Sequence, residues 1–212
     1  MTKIPQVKVI GPKDEIPEDA LKLSVSSRAP VLNPDGWRDL WPLSPFSVIP
    51  EGLPVPGLPG VMSKTVENAW QFLKVWPGED QWLEDEARAA FQSDCAIRYP
   101  RGHRVRAVAH YWHETGEMLD YVTARMKIYL PLYLQLLELP DRLRLIERLR
   151  QEAQQRTVCI WDFDSYDAER FGIENEFDVI FNTERPFAHA FILAFVIRNQ
   201  VSDFLEHIAN RN

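Results

Sequence analysis

Cysteine is scarce in this chain. Two residues in 212, Cys95 and Cys159, are too few for a disulfide framework or a thiolate zinc site. A reducing, cytoplasmic setting is the expectation that follows. Basic charge is also in short supply: 24 Lys and Arg stand against 31 Asp and Glu, a formal net charge of −7. Such a chain does not grip long nucleic acid through its overall field, although a small basic pocket is compatible with it. No apolar run reaches the length of a bilayer, so no membrane partner is expected. The most apolar segment, 187–197, stops at Arg198. The opening stretch, MTKIPQVKVIGPKDE, has no signal-peptide core. No internal repeat, metal-ligand cluster, Gly-rich phosphate loop or nucleophile triad stands out, so neither metal nor cofactor is expected.

Large apolar groups are plentiful. Seven Trp, eleven Phe and six Tyr in a 45% hydrophobic chain suffice for a sizeable core. Residues 7–10 and 21–25 read as short strands within an N-terminal extension, 1–28. Residues 29–60 are dense in proline, which excludes a regular helix or a central strand. They also carry Trp37, Leu40, Trp41, Leu43, Phe46 and Val48, which predicts an ordered loop over the core rather than a linker.

The most patterned stretch is 63–76. Val66, Ala69, Trp70 and Leu73 recur at helical spacing, Ser63 or Thr65 suits the N-cap, and Pro77-Gly78 ends the segment. Beside the apolar stripe runs a polar row of Glu67, Gln71 and Lys74. Glu67 in the first turn is a fixed carboxylate beside an apolar wall that includes Trp70; a surface Glu on an amphipathic helix has the same pattern. Asp80 is placed to cap a second helix ending at Phe91. The loop 98–106 concentrates Arg98, Arg101, Arg104 and Arg106 with His103, an arrangement suited to a phosphate or to pairing with nearby acids. A long helical pattern over 114–138 contains Pro131, expected to kink or split it, and carries Arg125 and Lys127 on an aromatic-rich surface. Asp141 suits the cap of a further helix to about residue 155.

The period then changes. Residues 157–163 read as a buried strand that runs into Asp162, Asp164 and Asp167. Alternation points Asp162 and Asp164 the same way, as a metal-binding pair or as a turn-forming acidic loop. Pro186 opens a last helix, 187–209, apolar on nearly all sides at first. His189 in its first turn has the pattern of a hydrogen-bonded core residue.

Leu-Ser-Pro-Phe at 43–46, Pro-Gly at 56–57 and Thr-Val-Glu-Asn-Ala-Trp-Gln-Phe-Leu-Lys at 65–74 together resemble the opening motifs of the NADAR (YbiA-like) superfamily. The Arg-rich loop, Ala-Arg-Met-Lys at 124–127, the strand leading to acids and the apolar terminal helix follow in that family's order. The family's Glu-His is Glu67-Asn68 here, and its Ser-Asn-Phe is Ser44-Pro45-Phe46. The resemblance implies a mainly α, single-domain YbiA-like helical fold over 29–212, with a few short strands. It also implies hydrolysis of an N-glycosidic bond in a phosphorylated ribosyl or ADP-ribosyl nucleobase compound. Glu67 would then act on the sugar cation, with Asp162 or Asp164 as a second carboxylate or a ribose contact. Trp70 and Phe46 would stack the base, and Lys74, Arg101 and Arg104 would meet phosphates. Ser44, Lys127 and His189 complete the expected substrate contacts. A non-catalytic nucleotide- or ADP-ribose-binding module, or a protein acting in nucleobase or DNA modification, is the alternative.

Overall fold

The computed structural model describes residues 5–26, 28–79, 82–102 and 104–211. Asp80 and His103 lie outside the described residues. In chain order come β1 (Val7–Ile10), β2 (Leu21–Ser24), α1 (Ala29–Leu32), β3 (Leu53–Pro54), β4 (Met62–Ser63), α2 (Val66–Phe72) and β5 (Lys74–Val75). Then follow α3 (Glu84–Phe91), β6 (Ala109–Trp112), β7 (Glu117–Leu119), α4 (Tyr121–Ala124), α5 (Leu130–Leu137), α6 (Pro140–Gln155), β8 (Val158–Trp161), α7 (His189–Ile197) and α8 (Val201–Ala209). About 41% of the described residues are helical and 12% strand, and the strands form three small sheets. The fold is therefore mixed α/β, which corrects the expectation of a mainly α fold. Strands of two or three residues, such as β5 and β7, are too short to show a period of two in the sequence.

The chain divides into two compact units, Met1–Ser44 with Leu137–Asn212, and Pro45–Leu136. The first is built on β8. All four β8 residues are buried, and β1 and β2 flank it, both parallel to it. A strand covered on both sides reads as a continuous apolar run, which is what Val-Cys-Ile-Trp shows. α7 packs on β1 and β8, and eight of its nine residues are buried. On the other face Ile10, Cys159 and Trp161 form a small cluster, with Lys22 Nζ 5.1 Å above the Trp161 ring. The expected last helix is broken in two. Asn199 adopts φ 59°, and the amides of Asn199 and Gln200 donate to the carbonyls of Val196 and Phe195. This is a Schellman ending, in which asparagine takes the left-handed position usually held by glycine. Asp141 is not the cap of α6; Pro140 opens that helix and Leu139 holds the cap position without a side-chain bond.

Gly11, directly after β1, is fixed by close approach. A Cβ there would stand 1.9 Å from the Ser165 carbonyl oxygen. The Asp14 carboxylate pins the same place, accepting 2.8 Å bonds from the amides of Gly11 and Asp167. Gly11→Ala is expected to lower stability by about 3 kcal/mol or more, as overpacking against backbone does. A thermal midpoint within one or two degrees of wild type would contradict this packing.

The second unit joins the antiparallel sheet β5-β6-β7 and the β3–β4 hairpin to α2 and α3. Asn68, fully buried, ties them: its Nδ2 donates to the carbonyls of Ala90 and Cys95, and its Oδ1 accepts from the Ile97 amide. The helix expected to extend through residue 76 stops at Phe72, because Lys74 and Val75 pair with β6. The long helix expected over 114–138 begins only at Tyr121, because 117–119 pair with β6 as β7, and Pro131 does disturb it. Having no N–H, it breaks the α ladder, and the preceding turn widens into a π-helix, Arg125–Tyr129, closed by Leu130 N–H donating to the Arg125 carbonyl.

Candidate functional site

α2 begins where Thr65, in an extended conformation, accepts the Asn68 amide on its hydroxyl at 3.0 Å. Ser63, the other candidate cap, donates to the Thr65 carbonyl instead. Every residue of α2 is buried, so the polar row lies inside the unit rather than on its surface. Glu67 is 6% exposed and Gln71 7%. A carboxylate that is out of water needs hydrogen bonds. Gln71 Nε2 donates to Glu67 Oε1 at 2.8 Å, and Lys74 Nζ donates to Gln71 Oε1 at 2.8 Å. The spacings of four and three residues make this carboxylate–amide–amine row. The Glu67 amide donates to the Pro45 carbonyl at 3.0 Å, which holds the segment carrying Phe46 against the first turn of α2.

An aromatic wall stands beside the row. Trp70 stacks on His110 with ring centres 4.1 Å apart, meets Tyr129 edge-on at 5.2 Å, and lies 6.1 Å from Tyr121. His110 is the cross-strand partner of Lys74, one residue on β6 and the other on β5. Lys74 Nζ lies 5.3 Å from the Trp70 ring and 5.6 Å from Trp76. Arg125, 1% exposed, places its guanidinium 4.1 Å from the Tyr121 ring. Tyr121 is 41% exposed and forms an open edge of this wall.

Burial pushes the Lys74 amine down to about 8, partly offset by the Glu67 charge. Burial, with help from the Lys74 charge, holds His110 well below the ordinary imidazole range, so its ring is neutral. Lys74 gives a pH signature. Its folded value, about 8, lies below the 10.5 of an ordinary lysine. Between these values the unfolded chain binds the extra proton, so stability rises as pH climbs through that window. Relative to Lys74→Met, wild type is expected to gain on the order of 2 kcal/mol from pH 8 to 10, after allowance for solvent screening. Parallel stability curves for the two proteins would contradict this environment.

Several expected contacts lie elsewhere in the same unit. The Arg101 guanidinium is engaged by Glu86 at 2.6 Å and by Glu79 at 3.0 Å. The pairing holds the Glu86 carboxyl below its usual range and raises Arg101 further. Arg104 is exposed on the same loop. Phe46 is half-buried, with the Arg98 guanidinium 5.9 Å from its ring, and Lys127 Nζ lies 5.5 Å from Trp112. The remaining candidates belong to the first unit. Ser44 is fully buried there. Asp162 and His189 are both buried and adjoin, with Nδ1 to Oδ2 at 3.3 Å, while His189 Nε2 donates to the Val25 carbonyl at 3.0 Å. Asp164 is half-buried three residues after β8. The geometry thus brings Glu67, Trp70 and Lys74 together, and separately Asp162 and His189.

Sequence reasoning passed over His110, and placed Tyr121 and Tyr129 on the aromatic-rich surface of 114–138 without a role beside Trp70. The signal for His110 was the run Ala-His-Tyr-Trp at 109–112, an aromatic-rich strand whose two-residue partner was hidden inside an apparent helix. Among the described residues no group of three His, Cys, Asp or Glu side chains is placed to hold a metal ion, and no helix is long and apolar enough to cross a membrane.

The molecule is thus a mixed α/β protein whose second unit buries a carboxylate–amide–amine row against stacked aromatic rings. The chain belongs to DUF6939, a family of unknown function, whose model matches residues 13–193. No curated protein and no solved structure matches it.

Proposed function

We propose that this protein is an N-glycosidase of the cytoplasm, cleaving the N-glycosidic bond of a phosphorylated ribosyl or ADP-ribosyl nucleobase compound. The observation that carries the reading is the buried Glu67 carboxylate, fixed by Gln71 beside the Trp70 wall. When the bond between sugar and base breaks, positive charge develops on the ribose ring, and a preorganised carboxylate in a dry site stabilises it. Water adds to the sugar carbon, and the base departs with the proton. The half-buried Phe46 and the open edge at Tyr121 offer surfaces on which a base stacks. Lys74 and the exposed Arg104 supply positive charge for phosphate. The likeness of residues 43–46 and 65–74 to NADAR motifs supports the same chemistry. The partner is a small nucleotide-like molecule, and the net charge of −7 speaks against long nucleic acid.

A non-catalytic nucleotide-binding module is the second reading. What favours it is Asn68, which stands where the NADAR pattern has histidine and whose side chain is fully engaged by backbone. Incubation with a ribosylaminopyrimidine phosphate and with ADP-ribosylated guanine, followed by chromatography for released base, separates the two. Release supports the enzyme. Binding without release supports the module, and neither binding nor release refutes both.

A further inference from the structure

His110 lies at the centre of the three-stranded sheet of the second unit, between Lys74 on one neighbouring strand and Leu119 on the other. It is 2% exposed and stacked on Trp70. Its Nε2 atom is buried and has no hydrogen-bond partner among the described residues. A polar atom left so is costly, and native proteins keep few of them without a reason. Lys74, its cross-strand partner, already donates to Gln71. Leu119 offers no polar side-chain atom, and Trp70 presents its ring. Tyr121 stacks on His110 with ring centres 6.4 Å apart, and the buried Arg125 lies over Tyr121.

We infer that His110 is a specificity-determining residue of the site, whose Nε2 hydrogen-bonds the base of the bound substrate. The inference rests on the nucleotide-like substrate proposed above and adds which part of it is read. The placement favours the base over the sugar or phosphate. His110 adjoins Tyr121, the exposed member of the aromatic wall, on which a flat heteroaromatic ring gains contact, whereas a phosphate would be drawn to Lys74 and Arg104. A neutral imidazole carries no charge to attract phosphate, but it offers one directional hydrogen bond to a base edge. Sites built around such a bond discriminate strongly against ligands that lack the matching group, because the buried polar atom is then left unpaired.

The test uses the full chain with two substitutions. His110→Phe keeps the ring and the stack on Trp70 and removes Nε2; His110→Gln restores a polar group near the Nε2 position. Affinity is measured by titration calorimetry for ADP-ribosylated guanine, the ribosylaminopyrimidine phosphate and ribose 5-phosphate, beside thermal midpoints. The expected result for His110→Phe is about ten-fold weaker binding of the base-containing ligand that wild type accepts. Ribose 5-phosphate affinity and the midpoint should hold or rise, and His110→Gln should recover part of the loss. Unchanged binding in His110→Phe overturns the inference and leaves the proposed function standing. Equal loss for ribose 5-phosphate overturns base recognition. A midpoint that collapses in both variants overturns it too, since His110 would then be holding the fold. If wild type binds none of the three, the functional reading falls and this inference with it.

Discussion

Glu67→Gln is expected to reduce turnover about 100- to 1000-fold while leaving substrate binding nearly intact. Glutamine keeps the shape and retains a carbonyl oxygen that can accept the bond Gln71 Nε2 now gives to Glu67 Oε1. That bond to the fold is therefore kept. What is lost is the negative charge that the developing sugar cation attracts, which contributes mainly in the transition state and so appears in kcat rather than KM. The check is the base-release assay with kcat and KM resolved. Release that survives the substitution would transfer the role to another carboxylate, with Asp162 or Asp164 as the next to replace.

Asn68→Leu is expected to be among the most destabilising single changes in the chain. The side chain is 0% exposed and makes three backbone hydrogen bonds, to Ala90, Cys95 and Ile97. Leucine fills a similar volume but leaves two carbonyls and one amide without these partners. Each unsatisfied buried group costs about 1–3 kcal/mol, so a loss of about 3–5 kcal/mol follows. For a chain of this length that is on the order of 10 °C in thermal midpoint. Asn68→Asp should be worse, because it sets a carboxylate against two carbonyl oxygens. A midpoint within two degrees of wild type for Asn68→Leu would show that the segment from Ala90 to Ile97 is held by other means.

These two neighbours show what the sequence made legible. The Glu67, Gln71, Lys74 spacing predicted a row on one face, and the row is present, because three- and four-residue spacing survives even in a short helix. Its burial was not legible. A helix of seven residues flanked by tiny strands has the same polar pattern as an exposed amphipathic one, and only the sheet β5-β6-β7 shows which applies. The strand 158–161 was legible from its unbroken apolar run, but its partners 130 or more residues earlier were not, since parallel pairing leaves no local mark. Arg101 was read as a phosphate contact from local charge alone. Its partners Glu79 and Glu86 lie 22 and 15 residues away, beyond any local pattern. The single long terminal helix missed the break at Asn199 because asparagine is a weaker stop signal than glycine.

The order of strands in the first unit has a consequence for how the chain is made. β1 and β2 never pair with each other; each pairs only with β8, which follows the whole of the segment 45–136. During synthesis the two early strands emerge with no template, and their backbone amides and carbonyls wait on water until about three quarters of the chain has been added. Pro45–Leu136, a continuous stretch, has all of its own strand partners by then. Assembly is therefore nested: the inner segment closes first, and the outer sheet zips when its central strand arrives. That late step closes loops of more than 130 residues, and pairing over such separations is slow by its topology.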